Sequence, residues 1–127
     1  MTSKTVARAI LVSALMTSPT LALAQDINGQ WARDDGNARV KIAPCGENLC
    51  ATNTWIRDPG KGEEVGDKIV MTVKPDSDSQ LSGKGFDPKR NLTYTMTITT
   101  GANSLTTKGC VVGGLICKTV NWARIDK

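Results

Sequence analysis

The length, composition and charge of the chain exclude several classes of protein. Its 127 residues suffice for one domain, and a charged fraction of 22% is typical of a folded globular protein rather than a disordered chain. Lys and Arg number 16 against 12 Asp and Glu, which gives a formal net charge of +4. Because histidine is absent, the chain has no Ser–His or Cys–His nucleophile pair and no His-ligated metal site.

The first two dozen residues have the pattern of a secretory signal peptide. A basic start precedes an apolar run over residues 9–16, and the small-x-small sequence that ends at Ala24 fits a signal-peptidase site. The apolar run is too short for a membrane-spanning helix, and Pro19 interrupts the segment. We therefore predict a cleaved signal peptide over residues 1–24, export to the periplasm or the medium, and a single domain over residues 25–127.

Four cysteines in a small exported domain indicate two disulfides. The segment between Cys110 and Cys117 has two consecutive glycines at its centre, and counting outward from such a turn sets these cysteines opposite each other. A four-residue loop between Cys45 and Cys50 has the same effect. Spacing thus favours two local bridges. A long-range pairing would need the two hairpins in contact, and a four-cysteine zinc site would need spacings other than these.

Apolar and polar residues alternate along most of the chain, which is the pattern of β-strands. In the segment 92–100, for example, Tyr94, Met96 and Ile98 share one face and threonines occupy the other. Turn signals divide the chain into predicted strands at about 28–33, 38–45, 50–57, 68–74, 80–86, 91–100, 104–112 and 115–125. The longest break, residues 58–67, is rich in Gly and Glu, and we expect it to be mobile.

Short strands joined by hairpins predict an all-β, closed, antiparallel eight-stranded barrel, with a sandwich as the alternative. In a closed barrel the first and last strands are neighbours, so Arg124 can lie over the ring of Trp31. Gly29, Trp31 and Arg124 together resemble the Gly-x-Trp and Arg signature of the lipocalin and calycin barrels. That resemblance implies that these three residues close the barrel and have a structural role.

A larger part of the chain resembles the bacterial domain-of-unknown-function 2147 family of small exported proteins with a lipocalin-like barrel. The segments that carry this resemblance are Gly29-Gln30-Trp31, Val40-Lys41-Ile42, Cys45-Gly46, Leu49-Cys50, Trp55, Asp58-Pro59, Ser82-Gly83-Lys84, Phe86-Asp87-Pro88, Tyr94, Gly109-Cys110 and Asn121-Trp122-Ala123-Arg124. The resemblance implies a fold and an export route, and it brings no established reaction.

An eight-stranded barrel is either filled by side chains or holds one small ligand. Methionine and tryptophan on inward faces give an adaptable apolar wall for a ligand. The residues that we predict to line such a cavity are Trp55, Met71, Tyr94, Met96, Ile98 and Trp122.

These patterns favour a non-enzymatic binding module for a small apolar or amphipathic molecule or a cell-envelope component. The alternative is a protein-interaction or stress factor without a cavity, which presents disulfide-braced hairpin tips. A hydrolase would need the carboxylates of the long loop, Asp58, Glu63, Glu64 and Asp67, to be held in catalytic geometry. We expect no cofactor, no metal, no nucleic acid, no membrane span, and a monomer.

Overall fold

Eight antiparallel strands form a closed barrel in the computed structural model, which describes residues 26–126. In chain order the strands are Gly29–Arg33 (β1), Ala38–Cys45 (β2), Asn48–Ile56 (β3), Lys68–Ser77 (β4), Gln80–Asp87 (β5), Leu92–Thr100 (β6), Ser104–Val111 (β7) and Ile116–Arg124 (β8). Each strand pairs with its neighbours in sequence, and β1 pairs with β8. The predicted meander barrel is thereby confirmed, whereas the predicted signal peptide lies outside the described residues.

Large inward side chains fill the end of the barrel at which the described chain begins and ends. Alternation along the strands directs every second residue inward, so that Val40 and Ile42 of β2 are buried while Lys41 between them is exposed. The buried apolar residues that form this core are Ile27, Trp31, Val40, Ile42, Met71, Leu81, Ile98 and Leu105. We call this filled end the floor of the barrel.

The contact between Trp31 and Arg124 joins the first and last strands at the floor. These two residues are direct partners in the β1–β8 register, and the Arg124 guanidinium carbon lies 4.3 Å from the centre of the Trp31 ring. Trp31 is 1% exposed, and its indole Nε1 donates a 2.9 Å hydrogen bond to the carbonyl of Ile27. The cation therefore interacts with a ring that is fixed by its own hydrogen bond.

The same guanidinium also holds the segment that leads into β1. Its Nη1 donates to the carbonyl of Asn28 at 2.9 Å and its Nη2 to the carbonyl of Asp26 at 2.8 Å. Gly29 has a φ of 133° in this turn of the chain. A Cβ at this position would lie 2.6 Å from Nη1 of Arg124, so the glycine is required by the close approach of the arginine.

Both predicted disulfides are present, but one hairpin differs from the prediction. Cys110 and Cys117 are direct partners in the β7–β8 register and are bridged. Cys45 and Cys50 are also bridged, with a Cα–Cα distance of 5.7 Å, yet they do not lie opposite each other. The predicted four-residue loop is a two-residue turn, and Cys45 pairs with Asn48 instead. Gly46, with a φ of 66°, allows this tighter turn.

The prediction that Trp55 lines the barrel interior is wrong. A register shift between β2 and β3 pairs Val40 with Asn53 but Arg39 with Trp55, so one extra residue of β3 bulges out. A β-bulge changes which residues point inward, because side chains alternate along a strand. Ile56 is therefore buried, whereas Trp55 is 40% exposed and stacks with Arg39 on the outer surface.

A second bulge extends β4 beyond its predicted end. The sequence predicts a turn over residues 75–78, but β4 continues to Ser77, and its register with β5 shifts between Pro75 and Ser77. A bulge is one of the few places in a strand where proline is tolerated, since proline has no N–H to donate.

We predict that replacing Arg124 by Gln lowers the free energy of unfolding by about 2–4 kcal/mol, since a cation–π contact and two charge-assisted hydrogen bonds are lost. Urea unfolding followed by circular dichroism measures this change. Arg39→Gln is the matched control, because its cation–π contact is to the exposed Trp55. Equal losses in the two variants would contradict a special role for Arg124.

Candidate functional site

The barrel contains a cavity of about 390 Å³ above its floor. The wall combines aliphatic, methionine and aromatic side chains from seven strands, and charged side chains line its upper part. The wall residues are Trp31, Val40, Ile42, Ala51, Ile69, Met71, Tyr94, Met96, Ile98, Leu105, Thr107, Gly109, Val120 and Trp122. The upper residues are Asn53, Glu63, Asp67, Lys68, Asp87, Arg90 and Lys118. We call this charged end the mouth.

Small inward residues near the mouth create the space that the cavity occupies. Gly109 of β7 and Ala51 of β3 are inward residues with little or no side chain. In a barrel that is filled by side chains, inward positions carry larger residues. A Cβ added to Gly109 would find its nearest neighbours in Tyr94, at 3.8 Å, which is an ordinary van der Waals distance. The wall thus leaves room at this point, whereas the larger side chains at the floor leave none.

The uncharged polar groups of the cavity wall and of the mouth bond to one another or to the segment between β3 and β4. Trp122 Nε1 donates to the hydroxyl of Thr107 at 3.1 Å, and the amide of Asn53 donates to the carbonyl of Glu64 at 3.2 Å. These groups therefore need no polar partner from a ligand. The middle of the cavity suits an apolar molecule.

The segment between β3 and β4, residues 57–67, crosses part of the mouth, and we call it the strap. Its mobility stays a prediction, and several hydrogen bonds connect it to β3 and fold it back on itself. The Asn53 N–H donates to the carbonyl of Asp67 at 2.8 Å, and the Gly66 N–H donates back to the carbonyl of Asn53 at 2.9 Å. The Glu64 N–H donates to the Asp67 carboxylate at 3.0 Å.

Ion pairs attach the strap to opposite sides of the mouth. The guanidinium of Arg33 on β1 donates two parallel hydrogen bonds, of 2.6 and 2.9 Å, to the carboxylate of Glu63. Across the barrel, the Lys89 ammonium lies 3.0 Å from the Asp67 carboxylate. The hydrogen bond from Arg33 lowers the pKa of Glu63 although burial opposes the shift, and the hydrogen bond from Lys89 lowers the pKa of Asp67 in the same way.

Asp87 is a buried carboxylate at the mouth that we did not identify as a site residue from the sequence. It is 4% exposed, and its two oxygens accept from the backbone N–H of Arg90 at 3.2 Å and from its guanidinium at 2.8 Å. Arg90 in turn donates to the carbonyl of Gly62 in the strap. The Asp-Pro sequence at the end of β5 was the available signal, since an aspartate there binds the N–H groups of the following turn.

The structure places the other predicted residues in three groups. Met71, Tyr94, Met96, Ile98 and Trp122 line the cavity. Gly29, Trp31 and Arg124 lie together at the floor. The four cysteines alternate with inward residues and so lie on the outer face, away from the cavity.

Lys118 and Arg33 are inward residues that the sequence reasoning missed. Both positions follow from the alternation of side chains along a strand. Lys118 lies two residues before the inward Val120 on β8, and Arg33 lies two residues after the inward Trp31 on β1.

Over residues 26–126, no group of three or more Cys, Asp or Glu side chains is placed to hold a metal ion. The same residues include no helix with the length and apolarity needed to cross a membrane.

We predict that Glu63→Gln makes the strap more mobile, because it removes the carboxylate that accepts two hydrogen bonds from Arg33. Amide hydrogen exchange at Gly62 and Gly66 should accelerate in this variant and stay unchanged in Asp58→Asn, whose partner is the exposed Arg57.

The pair of Arg33 and Glu63 also predicts a dependence on pH. Because the pKa of Glu63 is lowered in the folded protein, the pair stabilises the fold above the ordinary glutamate pKa of about 4.3, and this stabilisation is lost as the pH falls through the lowered value. NMR signals of the two glycines that remain constant through this acid range would contradict the prediction.

Comparison with known proteins agrees with this architecture. A family model described as uncharacterised proteins conserved in bacteria, DUF2147, matches residues 29–124, which run from the start of β1 to the end of β8. A solved structure of a redesigned beta barrel is similar with a TM-score of 0.51 and 13% identity, over 79% of this chain and 91% of its own, which shows a shared fold alone. A search of curated proteins gave no match. From the first strand to the last, the chain belongs to the DUF2147 family of bacterial proteins.

Proposed function

We propose that this protein is a binding module that holds a small, mainly apolar molecule inside its barrel. The observation that carries the proposal is the cavity of about 390 Å³, closed by a packed floor and lined by Met71, Met96, Ile98 and Trp122. This volume lies within the range of about 300–1,000 Å³ found for small-molecule sites. The two methionines have flexible side chains, which adapt to ligands of different shape.

A binding role accounts for the carboxylates better than hydrolysis does. A hydrolase needs one carboxyl group that gives up a proton and one that is free to attack or activate water. Here Glu63 and Asp67 are each ion-paired, Asp87 is paired with Arg90, and Glu64 accepts from the N–H of Gly60 at 2.7 Å. These interactions position the strap, and the ion pairs lower the pKa of Glu63 and of Asp67, which favours their ionised form.

We place the protein in the periplasm or outside the cell. Two disulfides are compatible with an oxidising compartment, and each bridges neighbouring strands of one hairpin. The proposal that the protein is exported to the periplasm or the medium rests on the signal-like pattern of residues 1–24. In such a compartment the bound molecule would come from the cell envelope or from the medium.

Filling the cavity tests this function. We predict that Gly109→Leu weakens binding of the neutral fluorophore N-phenylnaphthylamine by about tenfold or more, because the new side chain occupies the space beside Tyr94. Gly109→Ala is the matched control and should bind like the unchanged protein, since its Cβ fits at van der Waals distance. A folded barrel that does not increase the fluorescence of the probe would contradict the proposal, as would equal binding by the leucine variant.

A second candidate function follows from the exposed tip of the β7–β8 hairpin. Val112, Leu115 and Ile116 are 63%, 83% and 62% exposed, and the Cys110–Cys117 bridge fixes the strands directly beneath them. Adjacent exposed aliphatic side chains mark interaction sites, and a rigid tip loses little entropy on binding. This observation favours a protein partner in the envelope.

We predict for this candidate that Leu115→Ser combined with Ile116→Thr abolishes capture of a partner from envelope extract, because the apolar contact is removed. Affinity purification with mass spectrometry measures the capture. Val65→Thr is the control, since Val65 is exposed to a similar extent, 60%, in the strap. If the tip variant retains every partner of the unchanged protein, the tip has no such role.

A further inference from the structure

The ion pairs at the mouth leave one inward lysine without a carboxylate partner. The three carboxylates that line the mouth, Glu63, Asp67 and Asp87, are paired with Arg33, Lys89 and Arg90 respectively. One lining cation at an inward position, Lys118, has no carboxylate within 4.0 Å among the residues that the structure describes, whereas Lys68 is the register partner of Thr52 on the outward face of β4. A ligand that reaches the mouth therefore meets one available ammonium group, while the three lining carboxylates are paired.

Lys118 is directed towards the cavity by its place in the sheet. It belongs to the inward face of β8 and is the direct register partner of Gly109 on β7. Because Gly109 has no side chain, nothing on the neighbouring strand occupies the space beside the lysine. The charge of Lys118 also contributes to the lowered pKa of Glu63, which lies at the same mouth.

From this arrangement we infer that the ligand is an amphipathic anion with a single apolar tail. The inference rests on the proposed binding function and adds its chemical class. The tail lies against Tyr94, Met96 and Trp122, while a carboxylate or phosphate head group faces Lys118. A neutral or cationic head group would leave the Lys118 ammonium unpaired, and a cation would be repelled by it.

The size of the cavity limits the tail. A volume of about 390 Å³ is near the lower end of the range for ligand sites, about 300–1,000 Å³. The polar groups in the middle, Thr107 and Trp122, bond to each other, so a tail that passes them displaces no hydrogen bond. One medium-length chain fits this space, whereas a lipid with two tails exceeds it.

Competition for the cavity tests the inference. N-phenylnaphthylamine is displaced with four compounds that share a tail and differ in head group: decanoate, monodecyl phosphate, decanol and decylammonium. We expect at least one of the two anions to bind more tightly than decanol, and decylammonium to bind more weakly. Lys118→Gln should weaken the preferred anion by about two- to fivefold and leave decanol unchanged, since the contact is a solvent-exposed ion pair. Lys108→Gln is the control, because Lys108 is exposed on the outer face of β7.

The outcomes separate this inference from the proposed function. If the probe binds and all four compounds displace it equally, cavity binding stands and the preference for anions is wrong. Tighter binding of decylammonium, or an equal effect of the two lysine variants, overturns the inference as well. If decanoate binds best, a free acyl acid is the natural ligand class, and if monodecyl phosphate binds best, the class is a single-tailed phosphate. A probe that does not bind at all overturns both proposals.

Discussion

The architecture depends on the contact between Arg124 and the segment around Trp31. A sheet of eight strands has two edges until its first and last strands meet, and here that meeting is secured by one guanidinium that stacks on a buried ring and binds two carbonyl groups. Gly29 is required at this place because the guanidinium occupies the position of a side chain. One residue of β8 thus reinforces the backbone pairing that closes the sheet and covers the floor.

Above the closed floor, the size of the inward residues determines how much of the interior is filled. Near the floor, Leu81, Ile98 and Leu105 pack in the buried core. Towards the mouth, Gly109 and Ala51 leave a space that Tyr94 and Met96 only partly fill. The strap lies over part of the mouth, where its acids pair with Arg33 and Lys89 and leave Lys118 without a carboxylate partner among the residues that the structure describes. The packed core and the cavity therefore lie towards different ends of the same strands.

Local sequence patterns predicted most of the fold and much of the wall. Alternation identified the strands and the inward face of Tyr94, Met96 and Ile98, since the period of a strand is a local property. The outward position of Trp55 depends on a bulge that arises from pairing with β2, and no single strand encodes it. The ion pair of Arg33 and Glu63 joins residues 30 positions apart, so it becomes visible only when the barrel brings the strap over the mouth.

The order of strand pairing has a consequence for how the chain folds. Seven of the eight pairings join consecutive strands, and both disulfides brace hairpins of that local kind. Only closure joins distant segments: Arg124 and Asn28 are 96 residues apart. Closing so long a loop carries the largest entropic cost, and no covalent bridge reduces it. A nascent chain cannot finish its barrel before β8 is synthesised, and until then the edges of β1 and β7 are open to pairing with other chains.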